Sequence, residues 1–316
     1  PLSEQESGVF YWVRQGINVM TETSSKRSDA ITKGAAKAPA RAMLRGAGYS
    51  DEQMAQPMVA VVNTWSTVTP CNMHLADLAE PIRQGLRENG ATPVDFNTIV
   101  VSDGITMGGE GMRASLISRE IIADSIELAV KGHSLDAAII LVGCDKTIPA
   151  AAMALARLDI PGLVFYGGTI MPGQLDGRDL SIQDVFEAVG AHAKGDMSDA
   201  ELDKVERAAC PGAGACGGQF TANTMAMALA MMGISPMGSG DPPATDSAKR
   251  VEAARCGRLA AKLAKEGSSA RTFLTPASIR NAATAVVASG GSTNAVLHLP
   301  AIAAEAGFAF PIETFD

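Results

Sequence analysis

Three cysteines lie in short segments where a thiolate could bind a soft metal or an iron–sulfur cluster. Cys144 directly precedes Asp145, and Cys216 lies in a glycine-rich loop that runs into a predicted helix. Glycines let the backbone approach an inorganic group, and the start of a helix favours an anionic thiolate. Cys71 also lies just before a predicted helix. Because thiolates prefer iron–sulfur clusters and carboxylates prefer magnesium, two different metal sites could lie side by side at Cys144 and Asp145.

The number of candidate thiolates bears on the kind of chemistry. An electron-transfer cluster usually has four cysteine ligands. A cluster held only by Cys71, Cys144 and Cys216 would leave one iron with an open position, and an open iron can act as a Lewis acid on a substrate hydroxyl. Three thiolates therefore favour catalysis over electron transfer.

The apolar runs of the sequence predict the strands that position these residues. Short apolar runs alternate with helical patterns, which is typical of an α/β fold with a parallel sheet flanked by helices. The predicted strands are 58–62, 96–102, 137–143 and 162–166. The predicted helices are an amphipathic stretch at 29–44 and the segments 74–88, 110–131, 149–158, 182–193, 198–208, 220–232, 244–266 and 276–288. Ligands of such sheets bind outside the carboxyl ends of the strands, so Cys71, Asp103 and the segment 144–146 are expected on one rim.

Several candidate residues have a structural interpretation that competes with a functional one. A lone cysteine is usually a small buried apolar side chain, which is the prediction for Cys256 on a patterned helix. Cys210 is expected to be a packed loop residue rather than a ligand. The loop at 290–294 is either a turn or a cradle for an anion. The four histidines are expected to cap helices or to fill the core, namely His74, His133, His192 and His298.

Charge and composition exclude two classes of function. The 316 residues include 26 Lys and Arg against 34 Asp and Glu, and this net charge of −8 argues against a nucleic-acid binder. No apolar run reaches the ~18 residues that would span a membrane. Five cysteines without disulfide spacing, and no visible signal peptide, indicate a reducing compartment. We expect the cytoplasm, or a mitochondrial or plastid matrix if a transit peptide was removed.

Several longer motifs resemble those of dihydroxy-acid dehydratases, in the superfamily that also contains sugar-acid and 6-phosphogluconate dehydratases. The motifs are Pro70-Cys-Asn-Met-His74, Val101-Ser-Asp-Gly-Ile-Thr-Met-Gly-Gly-Glu-Gly-Met112, Gly143-Cys-Asp-Lys146 and Ala209-Cys-Pro-Gly-Ala-Gly-Ala-Cys-Gly-Gly218. They occur in unbroken order between residues 26 and 307, together with shorter matches at 118–125, 166–170, 220–225 and 290–294. Several motifs in sequence order are far more specific than any single one.

The resemblance implies a hydro-lyase of valine and isoleucine biosynthesis. Such an enzyme dehydrates 2,3-dihydroxyisovalerate and 2,3-dihydroxy-3-methylvalerate to 2-keto acids. It implies Cys71, Cys144 and Cys216 as ligands of a [2Fe–2S] cluster, with a [4Fe–4S] cluster as the alternative. The cluster would act as a Lewis acid on the 3-hydroxyl of the substrate.

The resemblance also implies a second inorganic site next to the cluster. Its magnesium ligands would be Asp103, Asp145 and Lys146, with Lys146 carrying a carbamate. The carbamate is chemically reasonable because an ammonium cannot bind a cation, whereas an N-carboxylate can. Ser292 and Thr293 are candidate contacts to the substrate.

The resemblance places the catalytic base outside this sequence. In the family the base is a serine, and a further magnesium ligand is a glutamate, both in a C-terminal domain with no counterpart here. We therefore expect no catalytic residue within this chain and little or no turnover by it alone. We expect an N-terminal extension of unclear structure at 1–28 and an iron–sulfur and magnesium-binding domain at 29–316, in a protein that forms a homodimer.

Two other functions compete with this interpretation. A sugar-acid dehydratase of the same superfamily would share the cluster, the magnesium site and the fold. A non-catalytic iron–sulfur module would need a fourth thiolate, which requires Cys210 to join the other three. That module would leave the pair Asp103 and Asp145 without a role.

Overall fold

A four-stranded parallel sheet forms the centre of the chain in the computed structural model, which describes residues 26–315. The strands are β1 (Met58–Asn63), β2 (Thr92–Asn97), β3 (Ala137–Val142) and β4 (Gly162–Tyr166), and they pair in the order β2-β1-β3-β4. All three pairings are parallel. The predicted α/β fold with a parallel sheet flanked by helices is confirmed.

Thirteen α-helices lie within residues 26–315. They are α1 (Asp29–Thr32), α2 (Ala38–Gly46), α3 (Asp51–Ala55), α4 (Leu75–Glu88), α5 (Asp103–Thr106), α6 (Arg113–Gly132), α7 (Thr147–Leu158), α8 (Ile182–Lys194), α9 (Asp199–Ala209), α10 (Thr221–Met232), α11 (Ser247–Glu266), α12 (Pro276–Ala288) and α13 (Ala295–Ala306). A small antiparallel hairpin is made by β5 (Gly173–Leu175) and β6 (Arg178–Leu180). Short 3₁₀ helices cover Ala35–Lys37, Glu110–Met112, Ala270–Thr272 and Ile312–Phe315.

The two faces of the sheet are buried against different helices. Alternate strand residues such as Val59, Ile139 and Phe165 pack with α4 and α11. The intervening residues, such as Val62 and Ile140, pack with α6, α7, α10, α12 and α13. A sheet covered on both faces needs continuous apolar strands rather than alternating ones. This requirement explains why β1, β3 and β4 lie within one residue of their predicted bounds.

Two glycines let α4 and α11 approach closely. A Cβ atom at Gly257 of α11 would lie 2.3 Å from the carbonyl oxygen of Ile82 in α4. One at Gly85 of α4 would lie 2.4 Å from the carbonyl oxygen of Ala254. No side chain fits between the two helices at this crossing.

The predicted strand at 96–102 is wrong in its bounds. The strand ends at Asn97, and Ile99, in the apolar run that suggested a strand, is 49% exposed in the following loop. The strand starts earlier, at Thr92, and includes Pro93. Proline is tolerated because β2 is an edge strand that pairs with β1 alone.

The amphipathic stretch predicted at 29–44 is not one helix. Lys33 is extended, with φ −109° and ψ 153°, and it ends α1. A new helix, α2, begins at Ala38 with Pro39 in its first turn, where the missing N–H costs no hydrogen bond.

Of the extension predicted at 1–28, only 26–28 fall within the described residues. The Lys26 ammonium donates to the carbonyl oxygens of Ala55 and Gln56 at 2.7 and 3.0 Å. The backbone N–H and the hydroxyl of Ser28 donate to the buried Asp136 carboxylate at 2.9 and 2.7 Å. This segment is thus tied to the amino-terminal edge of the sheet. Within residues 26–315, no helix is both long and apolar enough to cross a membrane.

Candidate metal centre

The three cysteines singled out in the sequence come together at the carboxyl edge of the sheet. Cys71 follows β1, Cys144 follows β3, and Cys216 lies in the loop between α9 and α10. The Cys71 thiol lies close enough to the thiols of both Cys144 and Cys216 to interact with them. Cys71 and Cys144 are buried, and Cys216 is partly exposed. The parallel sheet therefore assembles three sulfur donors from distant parts of the chain.

Close backbone contacts hold the loops of Cys71 and Cys144 together. A Cβ atom at Gly143 would lie 2.1 Å from the carbonyl oxygen of Cys71. Only glycine fits there, so the Gly-Cys-Asp-Lys motif brings its cysteine directly against the first loop.

The loop that carries Cys216 is attached by backbone hydrogen bonds. The N–H of Gly214 donates to the Pro70 carbonyl at 2.8 Å, and that of Ala215 donates to Gly168 at 3.0 Å. The N–H of Ile170 returns a bond to the Ala215 carbonyl at 2.8 Å. The loop is therefore fixed both to the Cys71 loop and to the segment that follows β4.

Interactions among the three thiols shift their pKa values in different directions. The hydrogen bond with Cys144 lowers the pKa of Cys71, but the contact with Cys216 and burial outweigh it and raise that pKa to about 12. The contact with Cys71, together with burial, raises the pKa of Cys144 well above its ordinary value. The hydrogen bond from Cys71 lowers the pKa of Cys216 despite partial burial. Cys216 is thus the thiol of the three that loses its proton most readily.

Beside the thiols, Lys146 lies between two carboxylates. Its Nζ atom is 2.5 Å from Oδ2 of Asp103 and 3.9 Å from Oδ2 of Asp145. Asp103 also accepts a hydrogen bond from the Ser115 hydroxyl at 2.6 Å. Burial, followed by the charge of Asp103, raises the pKa of Asp145. Two carboxylates held this close need a cation, which the Lys146 ammonium supplies here.

The three thiols fit an iron–sulfur cluster, and the carboxylates beside them fit Mg²⁺. Among residues 26–315, no three His, Cys, Asp or Glu side chains are arranged to hold a single metal ion. A cluster spreads its ligands over several metal atoms, so the three thiols need not converge on one point. At the carboxylates, Asp103 and Asp145 supply two hard donors. A third would be present once Lys146 carries an oxygen-bearing group in place of its ammonium.

The loop at 290–294 reaches Asp145 through Thr221, at the start of α10. The Thr221 hydroxyl interacts with the Asp145 carboxylate and acts to lower the pKa of that carboxyl. The Asn294 amide donates to the Thr221 oxygen at 2.7 Å, and the Ser292 hydroxyl lies 3.0 Å from it. Ser292, a predicted substrate contact, is thus bonded within the protein, whereas Thr293 is exposed.

The two remaining cysteines differ from each other in burial. Cys256 is fully buried in α11 among apolar side chains of the second sheet face, so its predicted structural role is confirmed. Cys210 is exposed.

The histidines have structural partners. The Nε2 atom of His74 lies 3.0 Å from the Gly167 carbonyl oxygen, and burial lowers the pKa of this imidazole. His74 therefore donates from Nε2 and ties the Cys71 loop to the end of β4. Nδ1 of His298 is 3.1 Å from Arg119, and because a guanidinium only donates, the His298 proton is on Nε2. His133 and His192 lie at the ends of α6 and α8, where they bond to the Ala129 carbonyl and to Asp199.

Sequence reasoning missed the polar residues that hold the candidate ligands. Ser115, Thr221 and Asn223 were not singled out, although the last two lie in one of the shorter motifs. Their hydrogen bonds join segments that are distant in the chain, and no local pattern indicates them. The only available signal was a cluster of small polar residues at the start of a predicted apolar helix.

The comparison with protein families assigns the chain to a known class. Residues 56–316 match the family described as dihydroxy-acid/6-phosphogluconate dehydratase, N-terminal. The match covers most of the chain, and the chain belongs to this family.

Individual relatives of the chain agree with this family assignment. The chain is 57% identical over 300 residues to the dihydroxy-acid dehydratase of Koribacter versatilis, covering 94% of this chain and 52% of that protein. It is 52% identical over 290 residues to the dihydroxy-acid dehydratase of Haloarcula marismortui, covering 92% of this chain and 50% of that protein. An enzyme of the same name from Thermus thermophilus is 52% identical over 290 residues, and the match covers 92% of this chain and 52% of that protein. The chain thus spans about half the length of these relatives.

Proposed function

We propose that this chain is part of a hydro-lyase that dehydrates 2,3-dihydroxy carboxylic acids to 2-keto acids. The observation that carries the proposal is the meeting of three thiols directly beside the carboxylate pair and Lys146. The relatives named dihydroxy-acid dehydratase support 2,3-dihydroxyisovalerate and 2,3-dihydroxy-3-methylvalerate as substrates, in valine and isoleucine biosynthesis.

Cys71, Cys144 and Cys216 would hold an iron–sulfur cluster, of the [2Fe–2S] type with [4Fe–4S] as the alternative. Asp103, Asp145 and a carbamylated Lys146 would hold Mg²⁺. When bound, the two groups supply Lewis acidity, which stabilises negative charge on the substrate and activates its 3-hydroxyl as a leaving group.

The side chains of this chain determine where such a substrate could react. Overall the substrate loses the hydrogen on C2 and the hydroxyl on C3 as one water, and the resulting enol becomes the 2-keto acid. Cys144 and Asp145 are neighbours in sequence, so the two sets of candidate ligands adjoin each other. The buried surroundings of Asp103 and Lys146 exclude bulk water from the place where charge develops.

The first test is the iron and acid-labile sulfide content of the chain after anaerobic reconstitution. We expect about two of each per chain, and near-complete loss on Cys144→Ala. Cys256→Ala is the matched control, because it removes a buried thiol on the other face of the sheet and should leave the iron content unchanged. About four of each would keep the dehydratase but change the cluster type.

Cys210→Ala separates the lyase from a non-catalytic iron–sulfur module. A three-cysteine site should retain its iron in this variant, because Cys71, Cys144 and Cys216 are unchanged and Cys210 is exposed. Loss of iron in Cys210→Ala would mean a four-thiolate centre and would contradict the proposed function.

A second expectation concerns the chain by itself. We propose that residues 29–316 form one cluster- and magnesium-binding domain, and that the base lies in a further domain. Incubation of the reconstituted chain with 2,3-dihydroxyisovalerate should therefore give no 2-keto acid above background, as measured with a carbonyl-specific hydrazine. Measurable turnover would place the base within this chain.

Substrate class, assembly and location are proposals of the same kind. A protein carrying both domains should turn over 2,3-dihydroxyisovalerate faster than a sugar acid, and the reverse order would indicate a sugar-acid dehydratase. We propose a homodimer that acts in the cytoplasm or in an organelle matrix.

A further inference from the structure

The Asn223 side chain, in the first turn of α10, makes four hydrogen bonds at the loop that carries Cys216. Its Oδ1 atom accepts from the hydroxyls of Tyr166 and Thr169 at 2.7 and 2.9 Å. Its Nδ2 atom donates to the carbonyl oxygens of Cys216 and Gly218 at 3.1 and 2.7 Å. Both ends of the amide are thereby fully used.

The orientation of this amide is fixed by its partners. Backbone carbonyl oxygens only accept, so the NH₂ group must face Cys216 and Gly218. The two hydroxyls must then donate to Oδ1, which is the direction that satisfies them. No flipped amide would satisfy all four contacts, so the side chain has one stable position.

These contacts connect the Cys216 loop to the rigid part of the fold. Tyr166 is the last residue of β4 and is buried, and Thr169 lies three residues further along. Asn223 therefore joins the end of a central strand to the two carbonyls of a loop that has no regular secondary structure. The N–H of Gly218 also donates to the Cys216 carbonyl oxygen at 3.0 Å. The Asn223 amide therefore donates to the two carbonyl oxygens of a single short turn.

We propose that Asn223 is a positioning residue, which holds the Cys216 thiol in contact with Cys71 by clamping the backbone on both sides of Gly217. The proposal rests on the proposed function only in treating Cys216 as a ligand. Removal of the two donated bonds should release the turn while leaving the sheet and the loops of Cys71 and Cys144 in place.

The test is the alkylation rate of each cysteine in the metal-free chain at one fixed pH, resolved by mass spectrometry. Asn223→Asp keeps the shape and the oxygen that accepts from Tyr166 and Thr169, but it cannot donate, and it faces two carbonyl oxygens with a negative charge. We expect the Cys216 rate to rise about tenfold, as the loss of two partly buried hydrogen bonds implies. Cys210, already exposed, is the internal reference, and the fully buried Cys256 reports global unfolding.

A matched control makes the same chemical change elsewhere. Asn89→Asp removes an amide donor to the Gly85 carbonyl at the carboxyl end of α4. It should leave the Cys216 rate within about twofold of the wild type. Thr169→Val removes one hydroxyl donor to Asn223 without changing the backbone, and it should raise the Cys216 rate by a smaller factor of about two to three.

Two results would overturn the proposal. A parallel rise at Cys256 would mean that Asn223 acts only on global stability, and an unchanged Cys216 rate would mean that the turn is held without it. In the iron-loaded chain, Asn223→Asp should also lose iron to a chelator several times faster than the wild type. If the wild-type chain takes up no iron, the proposed function fails, whereas the alkylation test still decides the role of Asn223.

Discussion

Asp145 belongs to both halves of the candidate centre, because it follows Cys144 in sequence and lies opposite Asp103 in space. The side chain of Thr221, which interacts with Asp145, connects it to the loop at 290–294. Any change at this carboxylate therefore tests which of the two inorganic groups it serves.

We predict that Asp145→Ala weakens the binding of a hard cation and does not change the uptake of iron. Mn²⁺ followed by electron paramagnetic resonance, in buffer containing bicarbonate, should bind at least about tenfold more weakly than to the wild type. Iron content and the visible absorption spectrum should stay unchanged. Asp196→Ala, at an exposed position, is the control and should alter neither. Loss of iron in Asp145→Ala would assign this carboxylate to the cluster instead.

At the scale of single residues, the sequence predicts which side chains are candidate ligands, but it does not predict which residues hold those ligands in position. Cys71, Cys144 and Cys216 could be selected because each follows a predicted strand or precedes a helix. Asn223 could not be selected, because its partners Tyr166 and Thr169 are 57 and 54 positions away. A hydrogen bond across such a separation leaves no local pattern.

The crossing of α4 and α11 gives the clearest test at the scale of elements. Gly257→Ala should lower the free energy of unfolding by about 1–3 kcal/mol, because the new Cβ would meet the Ile82 carbonyl and force the helices apart. Gly190→Ala in α8 makes the same substitution where nothing lies within 4 Å. It should raise the stability by about 0.5–1 kcal/mol through helix propensity. Urea unfolding of both variants measures the difference, and equal effects would contradict the close packing.

Elements were predictable where one physical requirement dominated the sequence. β1, β3 and β4 are buried on both faces and appear as uninterrupted apolar runs. β2 was misplaced because an edge strand accepts Pro93, Asp95 and Asn97, which are poor strand residues. The hairpin of β5 and β6 was missed because strands of three residues are too short to produce a pattern.

At the scale of the whole molecule, a buried histidine should make stability depend on pH. Burial, with the charges of Arg119 and Lys146, lowers the pKa of His298 to about 3. Between that value and the ordinary value of about 6.5, the unfolded chain binds a proton that the folded chain does not. His298 therefore supports stability fully above pH 6.5, and this contribution is lost as the pH falls toward 3.

The prediction is a difference in slope between variants. His298→Gln should remove up to about 1.4 kcal/mol per pH unit from the decline in stability between pH 6 and 4. His133→Gln, at an exposed position, should keep the wild-type slope. Urea unfolding at several pH values provides the measurement, and identical slopes for the wild type and His298→Gln would refute it.

The packing of α11 against α4 also determines when the sheet can be completed during synthesis. The helix that covers Val59, Ile139 and Phe165 ends at Glu266, more than a hundred residues after the last of these strands begins. At about 5–20 residues per second, about 5–20 s pass between the emergence of the end of β4 at Tyr166 and that of the end of α11 at Glu266. For that time the part of the sheet face that α11 covers is open to other nascent chains. We therefore expect the ribosome-bound chain to be prone to aggregation in this interval, and we expect chaperone binding at this face before residue 266 has emerged.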